Sequence, residues 1–161
     1  MQSFITHHRA ALALSVLLFA AGSMAAQSAS QNTTYNTTRG VALNGYDVVA
    51  YFTEGRPLKG SAAFSHTWDQ TTWRFASAAH RDAFVASPET YAPQFGGFCA
   101  YGVSQGYAVD IDPHAWTMVD GRLYLNYSKR VQRMWDRDRA AHIRNGEANW
   151  PAIAAKHAGK E

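Results

Sequence analysis

Two segments of this chain have the pattern of β-hairpins, and they constrain its fold more than any other feature. In the first, FSHTWDQTTWRF (64–75), Phe64, His66 and Trp68 alternate with smaller residues before a DQTT turn, and Trp73 and Phe75 have the same spacing after it. In the second, AWTMVDGRLYLNY (115–127), Asp120 and Gly121 separate two apolar runs and suit the positive φ angles of a tight turn. Both patterns predict antiparallel strand pairs.

A helix pattern follows each hairpin. Ser77 is a typical N-cap for a short helix over AAHRDAFVAS, which ends before Pro88. From Ser128, SKRVQRMWDRDRAAHIRNG places apolar residues near one face, and Gly146 suits a C-terminal cap. The order predicts an α+β fold: a small antiparallel sheet of two hairpins, with a short helix after the first and a longer C-terminal helix.

The N-terminus has the arrangement of a secretory signal peptide. Arg9 precedes an uncharged stretch rich in alanine and leucine, and the small residues Ser23 and Ala25 precede a polar run. We therefore expect a signal peptide at 1–25, a flexible lead-in at 26–40 and a folded domain at 41–161. The predicted location is periplasmic or secreted, with no stable membrane span after cleavage of the leader.

Charge and motifs exclude several classes of function. The formal net charge is +3 at pH 7, and the densest charged run, DRDR (136–139), alternates in sign instead of forming the basic stripe that nucleic acid requires. The chain has no His-Glu-x-x-His helix, phosphate loop or dinucleotide fingerprint. We expect neither nucleic-acid binding nor enzymatic activity.

Three segments, taken in order, resemble the YHS domain family and its small exported members in particular. They are NGYDVVAYFTEGRPLKGSAAFS (44–65), WRFASAAHRDAFVASPETYAPQFGGFCAYGVSQGY (73–107) and DPHAWTMVDGRLYLNYSKRVQRMW (112–135). The resemblance covers nearly the whole chain after the leader. It implies a metal-binding domain, with copper as the metal.

The chain departs from the family at its thiol positions. Members found in copper-transporting ATPases carry Phe-Cys-Ser-x-x-Cys, whereas this chain has FASAAH (75–80). The earlier Asp-Pro-x-Cys element is similar to DVVA (47–50), which also lacks cysteine. A site built from several thiolates is therefore excluded, and His80, at one of the former cysteine positions, becomes the first candidate ligand.

The hypothesised metal site combines His80 with His66 and Cys99. His66 shares a strand face with Phe64 and Trp68, so it would face His80 where the hairpin packs against the helix. Two imidazoles and one thiolate suit copper, with zinc as the second choice. The alternative for each histidine is a hydrogen bond within the protein. Weaker candidate ligands are His114, Asp110 and Asp112, although Asp-Pro is also an ordinary start of a turn.

Cys99 is the only cysteine, and it lies in the glycine-rich segment GGFCAYG (96–102). An unpaired thiol in an oxidising compartment is open to oxidation unless it is buried. Three roles follow: a buried small hydrophobe, a metal ligand, or a reactive thiol. The third is disfavoured because no basic residue or helix N-terminus is evident beside it.

The aromatic content supports a second hypothesis of function. Tyrosines near the glycine-rich segment predict an aromatic pocket for a small ligand or a partner protein: Tyr46, Tyr51, Tyr101 and Tyr107. The competing explanation is a small core that needs large side chains. Two functions therefore remain open: an exported, non-enzymatic copper accessory or homeostasis protein, and a metal-free binding module.

Overall fold

The computed structural model describes residues 34–159, which form two small sheets and the helices around them. The predicted signal peptide and the first part of the predicted lead-in lie outside these residues. The first sheet has the strand order β1-β2-β4-β3, and the second pairs β5 with β6. The strands are β1 (Thr37–Thr38), β2 (Val41–Ala42), β3 (Ser61–Trp68), β4 (Thr71–Phe75), β5 (Asp112–Val119) and β6 (Arg122–Asn126).

The helices are mostly short, with one long exception at the C-terminal end. They are α1 (Ala50–Thr53), α2 (Ala78–Ala86), α3 (Pro88–Tyr91), α4 (Ala100–Ser104), α5 (Lys129–Trp135) and α6 (Arg139–Ala158). The predicted α+β class is confirmed. Within residues 34–159, no helix combines the length and the apolar character needed to cross a membrane.

Both predicted hairpins form, and each turns through two residues with positive φ. These φ angles are 45° and 56° at Asp69 and Gln70, and 49° and 72° at Asp120 and Gly121. Such turns match the twist of the strands they join. The two hairpins lie in separate sheets, and the first sheet also contains a parallel bridge between Val41 and Thr72.

The predicted helix starts are confirmed, but the predicted helix end at Gly146 is wrong. Ser77 Oγ accepts a hydrogen bond from the His80 amide, and Ser128 caps α5 in the same way. Beyond α5, Asp138 caps α6, which continues past Gly146. A Cβ at Gly146 would lie 2.5 Å from Cζ of Phe95, so this glycine permits a close approach of α6 to that ring.

Part of the predicted flexible lead-in is ordered. Thr37 and Thr38 pair with β2, and Asn36 is buried. The Asn36 amide donates to the Gly96 carbonyl (2.8 Å), and its side chain donates to Asp110 Oδ1 (2.9 Å). Hydrogen bonds to Gly96 and Asp110, together with the Tyr35 ring packed against Trp68 and Trp73 at centroid distances of 5.5 and 5.1 Å, therefore order this part of the lead-in.

Two aromatic clusters hold the helices on the sheets. In the first, Phe84 of α2 contacts the rings of Trp68, Trp73 and Phe75, with centroid distances of 5.7, 5.0 and 5.2 Å. In the second, a set of buried side chains packs α5 and α6 beside β6: Phe95, Phe98, Ala100, Val103, Tyr124, Trp135 and Ile153. Cys99 belongs to the first cluster and lies next to members of the second.

Candidate functional site

Cys99 lies immediately before α4 and is held against the end of β6. Its side chain caps α4: Sγ accepts hydrogen bonds from the Gly102 amide (3.5 Å) and the Tyr127 amide (3.3 Å). The residue is only 1% exposed, which confirms that it is buried. The expectation that no helix N-terminus lies beside it is wrong, because α4 begins at Ala100, the next residue.

Cys99 also lines a cavity of about 360 Å³, which we call the thiol cavity. A Cβ at Gly102 would lie 3.1 Å from Cε2 of Tyr107 and 3.2 Å from Cγ2 of Val109. The absence of a side chain at this position therefore lets the tyrosine and the valine close over α4. The lining residues are Cys99, Tyr101, Gly102, Tyr107, Val109, Tyr127 and Val131.

The rim of the thiol cavity is apolar and exposed. Among residues 34–159, the large hydrophobic side chains exposed to solvent are Val85, Tyr107 (49%), Val109 (36%) and Tyr127 (59%), and all but Val85 line this cavity. Isolated exposed hydrophobic residues are ordinary, but a group of them around one concave surface indicates a binding site. The cavity thus has an apolar rim, and the buried Cys99 belongs to its lining.

Asn126, at the end of β6, is the functional candidate that the sequence reasoning missed. It is fully buried, and its Oδ1 accepts a hydrogen bond from the Tyr101 amide (3.2 Å) and lies 3.7 Å from Cys99 Sγ. Its Nδ2 has no hydrogen-bond partner in the described part of the chain. An unpaired buried amide costs roughly 1–3 kcal/mol, so it requires an explanation. The sequence feature that could have identified Asn126 is a polar residue at the end of the largely apolar strand RLYLN.

Two of the four predicted pocket tyrosines line the thiol cavity, namely Tyr101 and Tyr107. Tyr46 instead lies edge-on to the ring of His114, with a centroid distance of 5.8 Å. Tyr51 is 2% exposed, and its hydroxyl donates to the Pro113 carbonyl (2.9 Å). Burial is the main reason that the pKa of Tyr51 is raised above its usual range. Tyr46 and Tyr51 therefore do not contribute to this cavity.

A second constellation joins His80 to Asp47, whose side chain is fully buried. Asp47 Oδ1 accepts hydrogen bonds from the amides of Val49 (2.9 Å) and Ala50 (3.3 Å). Its Oδ2 accepts one from the Ala76 amide (2.8 Å) and lies 2.6 Å from Nδ1 of His80. One carboxylate thus connects the start of α1, the end of β4 and the side of α2.

The other nitrogen of His80 faces a more open region. Nε2 lies 3.3 Å from Oγ1 of Thr53 and 4.0 Å from Oε1 of Glu54, and the His80 side chain is 16% exposed. A carboxylate oxygen accepts, so Nδ1 carries the proton of this hydrogen bond, and in the neutral imidazole Nε2 holds the lone pair. Histidines that bind metals are commonly oriented in this way by a carboxylate.

The predicted ligands His66, His80 and Cys99 do not assemble into one site. Residues 34–159 contain no group of three or more histidine, cysteine, aspartate or glutamate side chains that could hold a metal ion. His66 lies opposite Trp73 in the β3–β4 pair, whereas Cys99 lies in the wall of the thiol cavity.

The weaker candidates in VDIDPHAW form local turns. Asp112 Oδ1 accepts a hydrogen bond from the His114 amide (2.9 Å). Asp110 Oδ1 accepts from its neighbour Ile111 (2.7 Å) as well as from Asn36. The side chains of Asp110 and Asp112 therefore order the chain at the start of β5, as turn-forming aspartates do.

A second cavity, also of about 360 Å³, lies between Tyr35 and α6. Its walls include Glu89 and Glu147 but no thiol or imidazole. Burial, together with Asp69 and Glu89, raises the pKa of Tyr35 to about 12. Of these two cavities, only the thiol cavity combines an apolar rim with a cysteine in its lining.

A scan against known protein families, a search of curated proteins and a search of solved structures each found no match to this chain.

Proposed function

We propose that this protein is a binding module that holds a small, largely apolar ligand in the thiol cavity. The observation that carries this proposal is the concentration of exposed large hydrophobic side chains around that one cavity: Tyr107, Val109 and Tyr127. Apolar surface in contact with water is unfavourable, and a bound ligand would remove it from water. Cavities of about 300–1,000 Å³ are typical of small-molecule sites.

The surroundings of Cys99 favour binding over catalysis. The hydrogen-bond contacts of Sγ in the described residues are two backbone amides and the carboxamide oxygen of Asn126. A cysteine enzyme places a general base, usually histidine, beside its nucleophile. We therefore propose a non-enzymatic protein, and the leader sequence supports a periplasmic or secreted location.

Filling the rim of the cavity should abolish binding. We expect cinnamyl alcohol, a small apolar probe, to produce saturable NMR shifts at the amides of Gly102 and Tyr127. In Val109→Trp the indole would occupy the space of the probe, and the affinity should fall by about tenfold or more, equivalent to about 1.4 kcal/mol. Val85→Trp is the matched control, since Val85 is exposed but does not line the cavity.

Two results would contradict this proposal. One is the absence of saturable shifts near Cys99 in the wild type, both with cinnamyl alcohol and with a panel of small arenes and alcohols. The other is equal affinity in Val109→Trp and Val85→Trp, which would place the probe elsewhere on the protein.

Copper binding is a second candidate function, and the orientation of His80 by Asp47 favours it. Nε2 of His80 and the carboxylate of Glu54, 4.0 Å apart, would supply two ligands, and a small rotation of the half-exposed Glu54 would bring them to a common ion. The resemblance to YHS domains also supports this candidate. Remaining ligands would come from water or a partner, and zinc is the second choice of metal.

Titration of the purified, untagged domain with Cu(II) and Cu(I), in competition with a chelator, tests this candidate. We expect His80→Ala and Glu54→Gln each to lower the Cu(II) affinity by about tenfold or more. His66→Ala and Cys99→Ala serve as controls that leave it unchanged. Equal affinity in all variants would place bound copper elsewhere, and the absence of saturable binding in the wild type would remove this candidate.

A further inference from the structure

We propose that the second cavity, which lies between Tyr35 and α6, binds a small organic ammonium ion. This cavity has a volume of about 360 Å³ and shares no lining residue with the thiol cavity. The inference therefore goes beyond the proposed function and does not depend on it.

Four aromatic side chains line the second cavity, and they form two pairs. Tyr35 and Trp68 are tilted at 47° with ring centroids 5.5 Å apart, and Phe95 and Trp150 are tilted at 56° with centroids 6.1 Å apart. The face of an aromatic ring attracts cations, and tryptophan does so most strongly. Sites that bind ammonium groups commonly use aromatic walls of this kind. The two tryptophans of the lining therefore favour a cationic ligand.

The charged residues of the lining are both acidic, namely Glu89 of α3 and Glu147 of α6. Among the described residues that line the cavity, none is lysine, arginine or histidine. Besides burial, Asp69 and Glu89 contribute to the raised pKa of Tyr35, which indicates that negative charge lies near its hydroxyl. An ammonium ion in the cavity would thus be attracted by carboxylates without competition from a cation of the lining.

Glu147 has one cationic neighbour outside the lining, and their contact is weak. Nη1 of Arg122 lies 3.8 Å from Oε1 of Glu147, and the two side chains are 58% and 56% exposed. An ion pair this exposed contributes little to stability, because water screens it and both side chains lose freedom when they pair. An ammonium ligand can therefore replace Arg122 as the partner of Glu147.

A proline inside α6 removes one helical hydrogen bond beside the cavity. In a regular α-helix the amide of residue 151 donates to the carbonyl of residue 147, but Pro151 has no N–H. Glu147 and Pro151 both line the cavity. The Glu147 carbonyl thus lacks its helical donor, and an N–H group of a bound ammonium ion can supply one.

The same lining fits a metal ion poorly. Ca²⁺ takes about six to eight oxygen ligands, and transition metals prefer imidazole or thiolate. Two carboxylates and four aromatic rings provide neither set. An organic ammonium ion needs fewer oxygen contacts, because its apolar part can pack against the rings.

Benzylammonium is the probe, and benzyl alcohol, which has a similar shape and no charge, is its comparator. At pH 7 we expect benzylammonium to produce saturable NMR shifts at the indole N–H groups of Trp68 and Trp150, with an affinity about tenfold or more above that of benzyl alcohol. The double variant Glu89→Gln, Glu147→Gln should lower the affinity for benzylammonium by about tenfold or more. Asp82→Asn is the matched control that leaves it unchanged, because this exposed carboxylate on α2 does not line the cavity.

Both glutamates are exposed, so the double variant should keep the circular dichroism spectrum of the wild type. Added salt should weaken the binding of benzylammonium more than that of benzyl alcohol. A preference for the cation that is lost in the double variant and kept in Asp82→Asn would support the inference.

Four results would overturn it. The first is the absence of saturable shifts at Trp68 and Trp150, and the second is equal affinity for benzylammonium and benzyl alcohol, which would leave an apolar cavity without preference for a cation. The third is equal affinity in the double variant and Asp82→Asn. The fourth is a set of shifts confined to Gly102 and Tyr127, which would place benzylammonium in the thiol cavity.

Discussion

Replacing Asp47 with alanine is expected to lower the free energy of unfolding by roughly 3–5 kcal/mol. The substitution removes the acceptor for the amides of Val49, Ala50 and Ala76, and it leaves Nδ1 of His80 without its partner. Each amide left buried without an acceptor costs about 1–3 kcal/mol before any relaxation of the chain. Urea denaturation followed by tryptophan fluorescence measures the change.

His80→Ala is the comparison variant for Asp47. It removes a single hydrogen bond of the carboxylate and a side chain that is 16% exposed, so we expect a loss of about 1–2 kcal/mol. A loss below about 1 kcal/mol for Asp47→Ala would show that water replaces the carboxylate and that the junction of α1, β4 and α2 does not depend on it.

The second large effect is expected at Phe84, where alanine should destabilise the domain by roughly 3–5 kcal/mol. This ring is fully buried and contacts the rings of Trp68, Trp73 and Phe75, so its loss leaves a cavity between α2 and the first sheet. Such a cavity collapses only in part, because its walls belong to paired strands.

The matched control for Phe84→Ala is a substitution at Val85, the next residue along α2. Val85 is 48% exposed, and Val85→Ala should change stability by no more than about 0.5 kcal/mol. Thermal unfolding of the two variants and the wild type, recorded by circular dichroism, makes the comparison. Similar melting temperatures for Phe84→Ala and Val85→Ala would contradict the assignment of Phe84 to the core.

Local signals account for the parts of the fold that the sequence predicts correctly. The hairpin turns depend on Asp69, Gln70, Asp120 and Gly121 themselves, since their own φ angles decide the turn type. The helix starts at Ser77 and Ser128 depend on a side chain and an amide three positions later. Such interactions join residues within a few positions of one another, so a short stretch of sequence is enough to predict them.

The incorrect predictions concern features that depend on residues distant in sequence. Glycine is typical of a helix C-cap, yet α6 continues through Gly146. The ring of Phe95, which is distant in sequence, packs where a Cβ at this position would lie. Residues 34–40 have the composition of a flexible segment, yet Asn36 bonds to Gly96 and Asp110. In both cases distant partners outweigh the local preference.

For the candidate sites too, some properties depend on single residues and others depend on the tertiary structure. His80, Cys99, Tyr101 and Tyr107 could be named as candidates from the sequence, but so could His66, Tyr46 and Tyr51, because residue type indicates only which side chains can bind a metal, react or form an apolar wall. Only the tertiary structure decided which of them act together. The carboxylate that orients His80 lies 33 positions away along the chain, and the carboxamide beside Cys99 lies 27 positions away. Chemical capacity belongs to single residues, whereas a site depends on distances that exist only after the sheets and helices have packed.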